Sequence, residues 1–133
     1  QIFTIEDVLS VTGGNTKVKL VGYEGEIEHC VWTGIVDDYN FEYAPYGHHK
    51  AIHISVTNKD ISQGDNDVLY IYFNYPELTE ENKKEIEELE KYFYFCDFPK
   101  GGVEQLYYRY GKNTEEYIKN HSMSELLSEL QLN

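Results

Sequence analysis

Three histidines, His48, His49 and His53, stand close together in the chain, with Asp37 and Asp38 a short way upstream. Imidazole and carboxylate together make a ligand set for a divalent transition metal. The spacing fits no metal-binding pattern, and adjacent residues of an extended stretch point to opposite sides, so only one of His48 and His49 joins His53 easily. Solvated loop histidines are the simpler expectation, and no metal is predicted. Asp65-Asn66-Asp67 resembles the acidic opening of a calcium loop. The glycine and terminal glutamate that such a loop needs further on are replaced by Leu69, Tyr70 and a strand. A turn is expected, where Asn and Asp bond to the local backbone. Glu85, Glu87, Glu88 and Glu90 could pose as paired catalytic carboxylates, but they alternate with Ile86 and Leu89 on an exposed helical face where nothing raises a carboxyl pKa. Thr12-Gly13-Gly14-Asn15 precedes a strand rather than a helix, the wrong setting for a phosphate loop. No nucleophile elbow or dinucleotide fingerprint occurs. The expectation is a protein that is not an enzyme and carries no cofactor.

Residues suited to binding are more numerous. Arg109, the sole arginine, sits in Tyr107-Tyr108-Arg109-Tyr110. A guanidinium among aromatic rings can clamp a phosphate or carboxylate, or it can stack and cover a core edge. The chain holds 13 Tyr and 6 Phe. Tyrosine suits an interface because its ring gives a large contact area with a polar tip, although it can also replace Phe and Leu in a small core. Asp37, Asp38, Tyr39, Asn40, Phe41, Glu42 and Tyr43 form a stretch that is long, acidic and aromatic at once, which makes it the best recognition candidate. The candidate binding residues are therefore Asp37, Asp38, Tyr39, Phe41, Glu42 and Tyr43, with Tyr108, Arg109 and Tyr110.

Charge narrows the partner. The 133 residues carry 24 Asp and Glu against 11 Lys and Arg, a net charge of -13. The surplus is spread along the chain: residues 1 to 45 hold eight acids and two lysines, and residues 76 to 100 hold eight acids and four lysines. Such a field repels nucleic-acid phosphate and attracts cationic surfaces, so direct nucleic-acid binding is demoted and a basic protein partner is favoured. Ordinary solubility charge is the competing explanation. Cys30 and Cys96 form no zinc-binding pattern, and each lies in an apolar or aromatic stretch where a thiol acts as a small core hydrophobe, although a disulfide between them stays open. A reducing, cytoplasmic compartment is expected. No long apolar run and no basic leader followed by a greasy segment opens the chain, so neither a transmembrane helix nor a retained signal peptide is expected.

The elements that must position these residues follow from periodicity. Thr4 is placed to cap a short helix ending near Val11, with Glu6 and Asp7 in its first turn. Thr16 to Tyr23 alternates Lys17 and Lys19 with Val18 and Leu20 and reads as a half-buried strand. Glu24-Gly25 turns it into a second strand, Glu26 to Val36, with Ile27, Val31 and Ile35 on one face and Cys30 and Trp32 on the other. Gly34 suggests a bulge or a close backbone approach there. Residues 37 to 50 read as a loop. Ala51 to Thr57 should turn Ile52, Ile54 and Val56 inward and pair in a second hairpin with Val68 to Tyr75, a central strand apolar on both faces. Thr79 caps a helix from Glu80 to about Lys91, and Tyr92 to Phe98 with Val103 to Tyr110 reads as an aromatic hairpin, with extension of the helix to Phe95 as the alternative. Thr114 and Ser122 are placed to cap two terminal helices, the second carrying Leu126, Leu127 and Leu130, which pack on the sheet or against a second copy. The sum is a single acidic α+β domain over residues 1–133. It has an antiparallel sheet of four to six strands, a short N-terminal helix and helices concentrated toward the C-terminus.

The opening, Phe3-Thr4-Ile5-Glu6-Asp7-Val8-Leu9, followed by Asn15-Thr16-Lys17-Val18-Lys19-Leu20 and a glycine turn, resembles the start of small proteins of phages and mobile elements. In size and acidity the chain is similar to anti-defence inhibitors, anti-CRISPR proteins among them, and to immunity proteins that neutralise toxic nucleases. The resemblance implies a non-catalytic inhibitor that covers a basic, nucleic-acid-binding site on a host defence protein. An immunity protein against a nuclease toxin is one alternative. The other is a sponge for a nucleotide messenger, with Arg109 on the phosphate and Tyr107, Tyr108 or Tyr110 stacked on the base.

Overall fold

The computed structural model describes residues 3–57, 67–93 and 98–131. The expected turn at Asp65-Asn66, residues 94–97 of the expected aromatic hairpin, and Cys96 lie outside the described residues. The chain forms an α+β structure that divides into two compact units, residues 1–75 and 76–133.

The first unit is built on a four-stranded sheet in the order β2-β1-β4-β3. Its strands are β1 (Lys17–Glu24), β2 (Ile27–Ile35), β3 (His53–Thr57) and β4 (Val68–Asn74). Both expected hairpins form, β1 with β2 and β3 with β4, each antiparallel. The sheet as a whole is mixed rather than antiparallel, because β4 lies beside β1 in the same direction, pairing Leu20 with Ile71. Helix α1 (Ile5–Ser10) has the expected cap: the Thr4 hydroxyl accepts from Asp7 N–H while the Asp7 carboxylate accepts from Thr4 N–H. Ile5 and Leu9 from α1 meet Val18, Leu20, Ile71 and Phe73 on one face of the sheet. On the other face Tyr72 stacks on Tyr23 and Tyr70, and the Lys19 ammonium lies 5.8 Å from the Tyr70 ring centre. The central β4 therefore buries Ile71 and Phe73 on the core face and leaves Tyr70 and Tyr72 half-buried on the other.

Residues 36–50 are not an open loop. A 3-10 turn, Val36–Asp38, leads into a packed segment that places Tyr39, Tyr43, Ala44, Tyr46 and His49 out of solvent. The Tyr39 hydroxyl donates to the Pro45 carbonyl at 2.6 Å, and Ile5 N–H donates to the His49 carbonyl at 2.9 Å, which ties the segment to α1. Ala44 and Tyr46 adopt left-handed backbone (φ 46° and 61°), a strain of about 1 kcal/mol each that burial of the rings offsets.

Several side chains lie where alternation alone does not put them. Ile52, Ile54 and Val56 are exposed rather than inward, Val56 to 61 %, because β3 is the sheet edge and the buried core cluster takes in none of these three side chains. The bulge in β2 lies at Val31, between the Leu20–Trp32 and Val21–Cys30 pairs, and lets both Val31 and Trp32 pack on the core. Gly34 instead provides the close approach: a Cβ there would stand 3.2 Å from the Trp32 ring. Ile27 and Cys30, near the hairpin tip of this edge strand, are exposed, so Cys30 is no core hydrophobe.

The second unit is helical: α2 (Glu80–Glu90), α3 (Gly102–Tyr110), α4 (Thr114–Asn120) and α5 (Met123–Gln131). Thr79 caps α2 through a box with Asn82, and Ser122 caps α5 through one with Glu125. Residues 103–110 form helix rather than strand. Their aromatic richness favours a strand, but Val103, Leu106 and Tyr110 recur at helical spacing and are all buried. Thr114 is not a cap acceptor; it is buried and donates to the Gly111 carbonyl at 2.6 Å.

Burial sets the expected mutational contrast. Ile71→Ala should cost about 2–5 kcal/mol in urea unfolding, while Val56→Thr at the exposed edge should stay within about 0.5 kcal/mol of the parent.

Candidate functional site

The helical unit carries an open cleft of about 380 Å³. Its first wall is one stripe of α2 and the turn after it. Glu85, Glu88, Leu89 and Tyr92 follow the i, i+3, i+4, i+7 spacing that stacks side chains on one helix face. The opposite wall is Tyr107 from the end of α3, Gly111 and Lys112 from the turn that follows, and Glu115 from α4. Leu89 is buried at the base, which anchors the stripe.

Phenol groups hold the carboxylates. The Tyr107 hydroxyl donates to Glu85 Oε2 at 2.7 Å and accepts from Asn82 Nδ2 at 2.8 Å. Asn82 also closes the α2 capping box, so the start of the helix and the cleft wall share one network. The Tyr92 hydroxyl donates to Glu115 Oε1 at 3.3 Å, and the Lys119 ammonium bonds the same oxygen at 2.9 Å. Burial and then the adjacent Glu85 carboxylate push the Tyr107 phenol up to about 12. The Lys119 ammonium holds the Glu115 carboxyl below its usual range. Among the described residues, Glu85 and Glu88 form no ion pair with lysine or arginine. The cleft thus presents carboxylates, Glu85 among them held by a phenol, beside aromatic rings. That combination suits the apolar stem and charged head of a lysine or arginine from outside.

The residues singled out by sequence fall in other places. Asp37, Asp38, Phe41 and Glu42 are exposed, while Tyr39 and Tyr43 are buried in the first unit. The segment's acids therefore face water, and two of its three rings are spent on the core. Asp37 also folds over Gly14, where a Cβ would stand 2.1 Å from its carboxylate. Tyr108 is half-buried, and Arg109 and Tyr110 are buried. The Arg109 guanidinium donates to Glu129 Oε1 at 2.6 Å, and the Tyr110 and Tyr117 hydroxyls donate to the same carboxylate. Arg109 is thus engaged by Glu129, and Tyr110 is stacked on Tyr117. His49 stacks on Phe73 on the core side of the sheet, and His53 lies beside Tyr72 on the opposite face. No group of three His, Cys, Asp or Glu side chains converges among the described residues.

Sequence reasoning placed Glu85 and Glu88 on a solvated face; Glu88 is exposed there, but the Tyr107 partner of Glu85 was missed. The stripe Glu85, Glu88, Tyr92 was visible at helical spacing. Its complement was hidden, because reading residues 103–110 as a strand sends Tyr107 away from the helix.

A double-mutant cycle with Tyr107→Phe and Glu85→Gln should show a coupling of about 0.5–1.5 kcal/mol, the size of a partly exposed hydrogen bond; additivity would mean that the pair does not form in solution. No protein-family model, curated protein or solved structure matches the chain.

Proposed function

We propose that this protein is a non-catalytic acidic inhibitor that binds a basic partner protein and covers that partner's nucleic-acid-binding site. The biology would be that of an anti-CRISPR-like anti-defence protein of a phage or mobile element, acting in the cytoplasm. The observation that carries the reading is the cleft in which Tyr107 fixes Glu85, with Glu88 and Tyr92 alongside. A phenol orients a carboxylate without cancelling its charge, so the wall keeps its attraction for guanidinium and ammonium groups. The rest of the chain reinforces this through long-range steering, with a net charge of -13. No helix among the described residues is long and apolar enough to cross a membrane.

The test is association with a basic nucleic-acid-binding effector, followed by stopped-flow or surface methods as salt is raised from ~0.05 to ~0.5 M. The on-rate should fall steeply with salt. Reversing Glu85 and Glu88 to lysine should weaken binding by roughly tenfold or more, about 1.4 kcal/mol, without loss of fold. Binding indifferent both to salt and to the two reversals would overturn the proposal.

A further inference from the structure

The Glu129 carboxylate is held by a set of donors that comes from other helices. Arg109 and Tyr110 lie at the end of α3, Tyr117 lies on α4, and Glu129 reaches them from α5. Both carboxylate oxygens are used: Oε1 accepts from Arg109 and Tyr110, and Oε2 accepts from Tyr117. Arg109 is only 9 % exposed. Three donors disposed around the two oxygens of a planar group match the geometry of a carboxylate.

The two phenols are also held by contacts that do not involve Glu129. Tyr110 stacks on Tyr117 with ring centres 4.0 Å apart, and Tyr117 stacks on His121 at 3.9 Å. His121 Nδ1 lies 2.8 Å from the Tyr117 carbonyl oxygen. By contrast α5 is a separately capped helix. It follows an extended joint at His121 and sinks one side chain fully, Leu126.

We propose that Arg109, Tyr110 and Tyr117 form a carboxylate-binding site on α3 and α4, which the protein fills in cis with Glu129. A carboxylate supplied by another molecule fits the same donors when the Glu129 side chain is absent or withdrawn.

The experiment uses the full chain with Glu129→Ala and acetate as the probe. Thermal unfolding is followed in sodium acetate and in sodium chloride at matched ionic strength. The midpoint should rise saturably with acetate and not with chloride, as expected for a ligand that binds only the folded state. Adding Tyr117→Phe to Glu129→Ala should diminish the acetate response. If the Glu129→Ala chain is unfolded in chloride, acetate should restore its helical circular dichroism. Equal responses to the two salts, an undiminished response in the double variant, or an unfolded chain that acetate does not restore would each overturn the proposal.

Discussion

A phenol hydroxyl donating to a glutamate carboxylate recurs in both units and is the interaction on which the cleft of the helical unit depends. The chain has 24 acids and only 11 lysines and arginines, so most carboxylates cannot find a cation. Among the described residues, tyrosine donates to four carboxylates, two of which also hold a cation: Tyr23 to Glu28, Tyr107 to Glu85, Tyr92 to Glu115 beside Lys119, and both Tyr110 and Tyr117 to Glu129 beside Arg109. Each such bond fixes a carboxylate in place. None of them removes its charge.

That distinction separates the two uses of the motif in the helical unit. At Glu129 the phenols are joined by Arg109, and the result is an enclosed junction of three helices in which the charge is compensated. At Glu85 the phenol acts without a cation, the site stays open, and the charge is left to act outward. The same residue types thus give a structural clasp in one place and an attractive surface in the other, with the placement of the sole arginine deciding between them. The first unit shows a third outcome, in which Tyr39, Tyr43 and Tyr46 serve as core residues and leave Asp37, Asp38 and Glu42 in water.

Elements governed by local chemistry could be read from the chain. The caps at Thr4, Thr79 and Ser122, the Glu24-Gly25 hairpin and the central character of Val68 to Phe73 all follow from residues near in sequence. What escaped depended on distant partners. The alternation of Ile52, Ile54 and Val56 is a sound strand signal, yet whether such a face is covered depends on how far residues 36–50 reach over the sheet. The parallel pairing of β1 with β4 rests on that same crossover. Tyr107, Tyr108 and Tyr110 favour a strand by type, and only the burial of Val103, Leu106 and Tyr110 along one helical stripe outweighs that preference. This one error concealed both the cleft opposite Glu85 and the engagement of Arg109 by Glu129, because each depends on the rotation of successive residues about α3.

The most direct test of the central claim is a carbon-13 NMR titration of the tyrosine ζ carbons across the alkaline range, with Tyr107 and Tyr117 assigned by substitution with phenylalanine. Burial and a facing glutamate should raise both phenol midpoints to about 12. Midpoints at the value of a free phenol, about 10, would show that these hydroxyls are not bound to carboxylates, and the account would fail.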